Sequence, residues 1–290
     1  MRLVLAVLTL ASGCTPVPTY TVRRAALAPH AAPPLRNGQG MQDRVLEGSV
    51  GASTLMSADA PKEGQDANAG LYIPRVEMNA AMRVRARQNL DIGLLWDHGF
   101  RQGAYATSED IPEPKNGSVY GGGPSIFYSM PTAAPGLRVG LGFDFMIYSI
   151  PYVEYRTCAT NCGGNTTSTV THDRDQIGVY SLSVVPSWRS GRFTIFGGGT
   201  VRNHPTVEKG TVEVADGDDE VSGGPAVLIA HAGMEVDVGG GVRAMGMVYQ
   251  PLEEDPVRYM PTFGVALTVP LARDAPATTA AAPPSSLAAR

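Results

Sequence analysis

The side chains with the most chemistry to offer are charged, and they fall on one stripe of several alternating stretches. Arg75, Glu77, Arg83 and Arg85 stand opposite Val76, Met78, Ala80, Met82 and Val84; Asp91 follows, Arg138 and Asp144 lie among Gly140 and Gly142, and Glu235 and Asp237 complete the set. An extended chain turns successive side chains to opposite faces, so these nine are expected to share one face. Charges held together away from bulk water pair with one another, so the expected chemistry is a network of ion pairs. Histidine beside carboxylate is the second candidate, at Asp97-His98 and His172-Asp173, with His204 alone. A base beside an acid can activate water. Neighbours on a strand point apart, however, and solvated strand ends are the simpler expectation. Asp216-Gly-Asp-Asp-Glu220 sets oxygen ligands at alternate positions, as calcium favours, but without the rest of a twelve-residue calcium loop. The triplets at Gly121, Gly197 and Gly239 lead into no helix and no Lys-Ser/Thr pair, so they read as bends and turns and not as phosphate loops.

These residues need a scaffold rich in turns. The 290 residues include 34 Gly and 23 Pro, which suits many short strands and argues against a helical enzyme. A net charge of -4 without a Lys/Arg block gives nucleic-acid binding no electrostatic support. No run of 18 apolar residues exists, so a spanning helix is excluded on length. The mean hydropathy of -0.06 does not exclude a membrane β-barrel, in which only alternate residues face lipid.

Arg2 followed by the apolar run Leu3–Ala11 has the shape of a signal peptide, and Leu10-Ala-Ser-Gly-Cys14 resembles the lipobox of bacterial lipoproteins. The resemblance implies cleavage after residue 13, acylation of Cys14 and, with Thr15 next, sorting to the outer membrane. It departs in placing Leu10 one position too early. With Cys14 acylated, Cys158 and Cys162 are left in a loop-like stretch, where an oxidising compartment would let them close a small disulfide ring. No second cysteine pair supports zinc. Residues 15–40, rich in Ala, Pro, Gly and Arg without a period, read as a flexible tether, and residues 273–290 as a featureless tail. The expected division is therefore signal peptide 1–13, lipidated tether 14–43, barrel 44–272 and tail 273–290.

Period-two alternation predicts ten strands, near 44–57, 72–84, 90–100, 117–130, 137–147, 176–189, 192–204, 226–238, 242–250 and 259–271. The connections alternate short and long. Gln88, Pro131–Gly136, Ser190-Gly191 and Gly239–Gly241 are short, and 59–70, 101–116, 157–175, 205–225 and 251–257 are longer and polar. Outer-membrane barrels have short periplasmic turns and longer external loops, whereas a Greek-key sandwich has no reason to sort them. With both termini periplasmic an even count follows; whether 44–57 closes the barrel or belongs to the tether decides ten or eight. Aromatic residues Tyr72, Trp96, Tyr148, Tyr152, Trp188 and Tyr259 near strand ends are expected at the headgroup level. The stretch Thr206–Val214 is expected to form a hairpin around Lys209-Gly210. Thr262-Phe-Gly264-Val-Ala-Leu267-Thr-Val269 resembles the C-terminal recognition strand of assembled barrels, with aliphatic residues where aromatic ones are common and a tail after it.

The expectation is an all-β, antiparallel up-and-down transmembrane barrel of about ten strands in the outer membrane of a Gram-negative bacterium. Its lumen is expected to be narrow or plugged by the charge network, and its role structural or surface-interacting through external loops. It is expected to have no enzymatic activity and no cofactor. Its expected partners are membrane lipid, the barrel-assembly machinery and a possible surface partner. The alternative is a lipid-anchored periplasmic β-domain binding a small apolar ligand. A third reading is a surface hydrolase resembling the ten-stranded outer-membrane proteases, a likeness of architecture without their active-site motif. Everything hangs on sidedness: Phe143 and Val265 must face outward and the charges inward.

Overall fold

The computed structural model describes residues 19–42, 44–56, 71–101, 105–106, 114–115, 117–160, 168–207, 210–213, 221–252 and 261–273. The strands among them are β1 (Thr19–Leu27), β2 (Arg44–Leu55), β3 (Leu71–Ile73), β4 (Val76–Arg87), β5 (Leu90–Phe100), β6 (Tyr105–Ala106) and β7 (Ser118–Pro131). They continue with β8 (Leu137–Thr160), β9 (Ser168–Ser190), β10 (Phe193–Val207), β11 (Gly210–Glu213), β12 (Val221–Gly239), β13 (Val242–Pro251) and β14 (Thr262–Arg273). Among the described residues there is no helix. Ten of these strands form a closed antiparallel barrel in the order β2-β4-β5-β7-β8-β9-β10-β12-β13-β14. The seam closes where β14 meets β2, with Val265 opposite Ala52 and Thr268 opposite Ser49. Strand 44–55 therefore belongs to the barrel wall, and the count is ten.

The barrel strands show alternation, most plainly in β4, β8, β12 and β14, because lipid and lumen demand opposite chemistry of successive residues. Phe143 and Val265 are 44 % and 45 % exposed on the outer face, together with Met78, Met82, Leu94, Ile126, Ile147, Leu182, Met234 and Leu267. Asp144, Glu77 and Glu235 point inward and are buried. That sidedness rules out a water-soluble domain with Phe143 in a dry interior. The short connections gather at one rim, and Gly240 and Gly241 take φ of +60° and +78°, the left-handed pair that a two-residue hairpin turn requires.

The remaining strands sit at the opposite mouth. Strands β8 and β9 continue past the apolar belt as a paired ribbon, Thr157 opposite Ser168, so much of the expected loop 157–175 is strand. On β8, β1 pairs antiparallel from Ala26 opposite Tyr152 to Thr19 opposite Thr160. β1 also pairs with β3 and with β11, and β3 pairs with β6. Gly210–Glu213 thus pairs with β1, where a local hairpin around Lys209-Gly210 was expected. The aromatic expectation needs a similar correction. Trp96 and Trp188 face outward as a girdle requires, but Tyr148 and Tyr152 face the lumen and are buried; Tyr259 lies outside the described residues.

One close approach tests the closure. At Gly123 the β7–β8 register is interrupted, and a Cβ there would lie 1.9 Å from the carbonyl oxygen of Phe145. Closed outer-membrane barrels resist detergent without boiling, so unboiled protein is expected to migrate apart from boiled protein on a gel. Gly123→Val is expected to abolish that folded band; a variant retaining it at full intensity would show that this contact does not govern closure.

Candidate functional site: the occupied lumen

The lumen holds a segment of the chain itself. From β1 the backbone turns inward at Ala28, descends through Pro29–Met41, and leaves at the short-turn rim, where Gln42 leads to β2. Ala25, Ala26, Leu27, Ala28, His30, Arg36, Asn37, Gln39 and Met41 are all buried. The segment expected as a flexible tether is, over these residues, the filling of the barrel. Its composition explains both the fit and the misreading. Alanine and glycine leave room for an eleventh chain inside ten strands, and Pro29, Pro33 and Pro34 carry no N–H to satisfy.

A backbone crossing a dry lumen outside any ladder must still find hydrogen-bond partners, since a buried unpaired group costs about 1–3 kcal/mol. The wall supplies them with side chains. The His30 N–H donates to Glu77 Oε2 at 2.8 Å, and the Met41 N–H to Asp91 Oδ2 at 3.1 Å. The Ser129 hydroxyl donates to the Gly38 carbonyl at 2.7 Å. Arg202 donates to the carbonyl of Ala32, and Arg85 to that of Gln42. A His204 ring nitrogen lies 3.0 Å from the Pro29 carbonyl oxygen.

One side-chain contact fastens the middle of the segment. Arg36 grips Asp144 through two parallel bonds, Nη1 to Oδ1 at 2.9 Å and Nη2 to Oδ2 at 2.8 Å. Its nitrogens also donate to Ser125 and Ser183, while Ser125 and Ser181 donate to the same carboxylate. The guanidinium lies 4.8 Å from the centre of the Phe127 ring. Gly142 makes room, since a Cβ there would stand 1.9 Å from Nη2 of Arg36. Bidentate pairing with its lone pairs satisfied is the arrangement in which a buried ion pair is tolerated.

The nine residues singled out by sequence are dispersed among these tasks. Glu77, Arg85, Asp91 and Asp144 bind the internal segment. Arg83 pairs with Glu47, and Glu235 accepts from Arg243 at 3.1 Å. Arg138 donates to the Ser129 hydroxyl at 2.7 Å and to Asn89. Asp237 lies 4.0 Å from Arg189 at the rim, and Arg75 is exposed ahead of β4. None of these ion pairs joins two of the nine, so the expectation of mutual pairing gives way to pairing with residues not foreseen. Those are Arg36, Glu47, Arg243 and Arg189; Arg44 pairs in turn with Glu47, and Arg24 with Glu154 at 2.8 Å near the outer mouth. Glu47 was findable as an inward position of β2; Arg36 carried no signal within an aperiodic stretch. Toward the outer mouth an apolar cluster of Val119, Ile150, Val179, Ile229 and Met247 is buried about Leu27, Leu71 and Ile73, beside the buried polar side chains of Glu77, Arg202 and His204.

The histidine–carboxylate candidates separate. His98 faces outward against Trp96, Phe100 and Tyr120, whereas Asp97 faces inward and accepts from the Tyr148 hydroxyl. His172 accepts a long bond of 3.5 Å from the Lys115 N–H, and His204 is buried against the internal segment. The outer-loop setting expected for Cys158 also needs correction, although Cys158 is disulfide-bonded. Cys158 stands within β8, buried, opposite Tyr20 and with Sγ 3.6 Å from the Thr160 carbonyl oxygen. Cys162 lies outside the described residues, as do Cys14, the acidic loop 216–220 and the signal-like start.

No protein-family model matches the chain, and no curated protein matches it. Among solved structures it is similar to the N-terminal β-barrel domain of OprF from Pseudomonas aeruginosa, at 8 % identity over 79 % of this chain and 98 % of that one, TM-score 0.32. It is similar to LpxR from Salmonella typhimurium, at 10 % identity over 77 % and 99 %, TM-score 0.35. It is also similar to the translocator domain of the autotransporter NalP from Neisseria meningitidis, at 13 % identity over 80 % and 89 %, TM-score 0.38. Such likenesses are of general form. The location follows from the chain's own topology: an even-stranded, closed, antiparallel barrel with an apolar outer belt and connections sorted by length is an outer-membrane barrel of a Gram-negative bacterium.

The Arg36–Asp144 pair yields a stability test. Asp144→Leu leaves a buried guanidinium unpaired and is expected to cost about 3–5 kcal/mol, read as a lower urea midpoint for the refolded barrel. Arg36→Met combined with Asp144→Leu is expected to regain most of that loss. Equal midpoints for the single and double variants would show that the pair does not hold the segment.

Proposed function

We propose that this chain is an outer-membrane β-barrel sealed by its own N-terminal segment, acting as a structural or surface-interacting protein and not as a solute pore. The observation that carries this reading is the burial of the segment from Ala25 to Met41, with only Pro34 and Leu35 partly exposed, fixed at mid-lumen by Arg36 on Asp144. Occupancy by protein leaves function to what the barrel presents outward. On the lipid side that is the apolar belt; at the outer mouth it is the ribbon of β8 and β9 with the small strands packed on β1. The connections 157–175 and 205–225 are the surfaces where an external partner would dock. The precursor reading, with residues 1–13 as signal peptide and Cys14 acylated, belongs to the same proposal, as does insertion by the barrel-assembly machinery. No catalytic role is included, because Asp97 and His98 face opposite sides of the wall and His204 is buried against the internal segment.

Conductance across a planar bilayer tests the seal. The intact protein is expected to be nearly silent, and a variant lacking residues 19–41, confirmed as folded by its unboiled gel band, to conduct at least about tenfold more. Equal conductance in the two would overturn the proposal.

A further inference from the structure

The direction of the internal segment has a topological implication. Strand β8 starts at Leu137 beside a short turn, crosses the apolar belt with Leu141, Phe143, Phe145 and Ile147 outward, and runs on to Thr160 beyond it. β1 is antiparallel to that far portion, with Tyr20 opposite Cys158 and Ala26 opposite Tyr152. Read from its beginning, the described chain therefore starts above the belt at the long-connection mouth and descends. Its contacts follow in order of depth: Arg24 on Glu154, His30 on Ser53 and Glu77, Arg36 on Asp144, Gln39 on Ser187, Met41 on Asp91, and Gln42 at the rim with Arg85 and Arg189. The other end behaves oppositely, since Arg273 on β14 stands opposite Arg44, at the short-turn rim.

We infer that the N-terminal end of the mature chain passes through its own barrel and emerges on the external side of the membrane, while the C-terminal end stays periplasmic. The expectation of two periplasmic termini is replaced: the wall begins and ends at the periplasmic rim, but the chain feeding its first strand arrives from outside. The inference rests on the orientation adopted in the proposed function, with long connections outward. It also bears on lipid attachment. Cys14 precedes Thr19 by five positions. An extended chain of that length reaches roughly 18 Å, short of the ~25 Å apolar band of such a barrel. Acyl chains on Cys14 would then enter from the external side, and the inner leaflet is out of reach.

Epitope insertion in the full-length protein, expressed in a Gram-negative host, tests this directly. One version carries the epitope between Thr15 and Pro16, a second between Asn165 and Thr166, and a third after Arg290. Antibody binding is compared on intact and permeabilised cells, each version being checked for the unboiled folded band. The first two are expected to label on intact cells and the third only after permeabilisation. If the Thr15–Pro16 epitope needs permeabilisation while the 165–166 epitope does not, the inference fails and the barrel orientation stands. If the 165–166 epitope is hidden and the one after Arg290 labels intact cells, the orientation itself fails. A smaller probe guards against an insertion that blocks the passage. Val17→Cys, in a Cys158→Ser/Cys162→Ser background, is expected to react on intact cells with a membrane-impermeant maleimide, and protection there would equally overturn the inference.

Discussion

The structure depends on how an extended backbone survives inside a barrel without a sheet of its own. Between Pro29 and Met41 the internal segment has no continuous strand partner, yet it lies where water is scarce. Its polar atoms are met one at a time by Glu77, Asp91, Ser129, Arg202 and Arg85. Each segment atom buried here would be costly without its partner on the wall, and each wall residue, taken out of water by the segment, is satisfied by it in turn. The wall accordingly keeps polar side chains at each level the segment crosses, from Arg202 and Glu77 through Asp144 to Asp91. β1, by contrast, makes ladder bonds and presents Leu27 and alanines to an apolar cluster.

The barrel was legible because the bilayer imposes a rule on every second residue. Leu141, Phe143 and Phe145 against Gly142 and Asp144 can satisfy only one arrangement, and the same holds for Val265 and Leu267 against Gly264 and Ala266. Loop lengths added the sidedness. Strand 192–204 is harder to phase by pattern, because Gly197–Gly199 interrupt its alternation and Phe196 turns inward to pack over Gly233.

The contents of the lumen were much less legible. Glu77, Asp91 and Asp144 were identifiable as inward charges, but their partners lie 47, 50 and 108 positions away in a stretch with no period. A segment that makes no sheet carries no strand signature, and its abundance of Ala, Pro and Gly resembles a linker. Small residues suit a linker because nothing surrounds it, and suit a threaded segment because everything does. Tyr148 shows the same limit: at a strand end it reads as a girdle ring, yet it lies between Asp97 and Arg202.

The junction at Gln42 has a bearing on biogenesis. The internal segment runs without interruption into β2, and β2 is one side of the β2–β14 seam. The wall becomes a ring only when the last strand meets the first, and by then the first strand is already tied to whatever occupies the interior. Insertion after closure would require drawing residues 19–41, Arg36 included, through a finished ring past Phe127 and Asp144. Wrapping the strands about a segment already lying in place demands no such passage. The connectivity thereby favours an order of assembly in which the filling comes first and the seam locks it in.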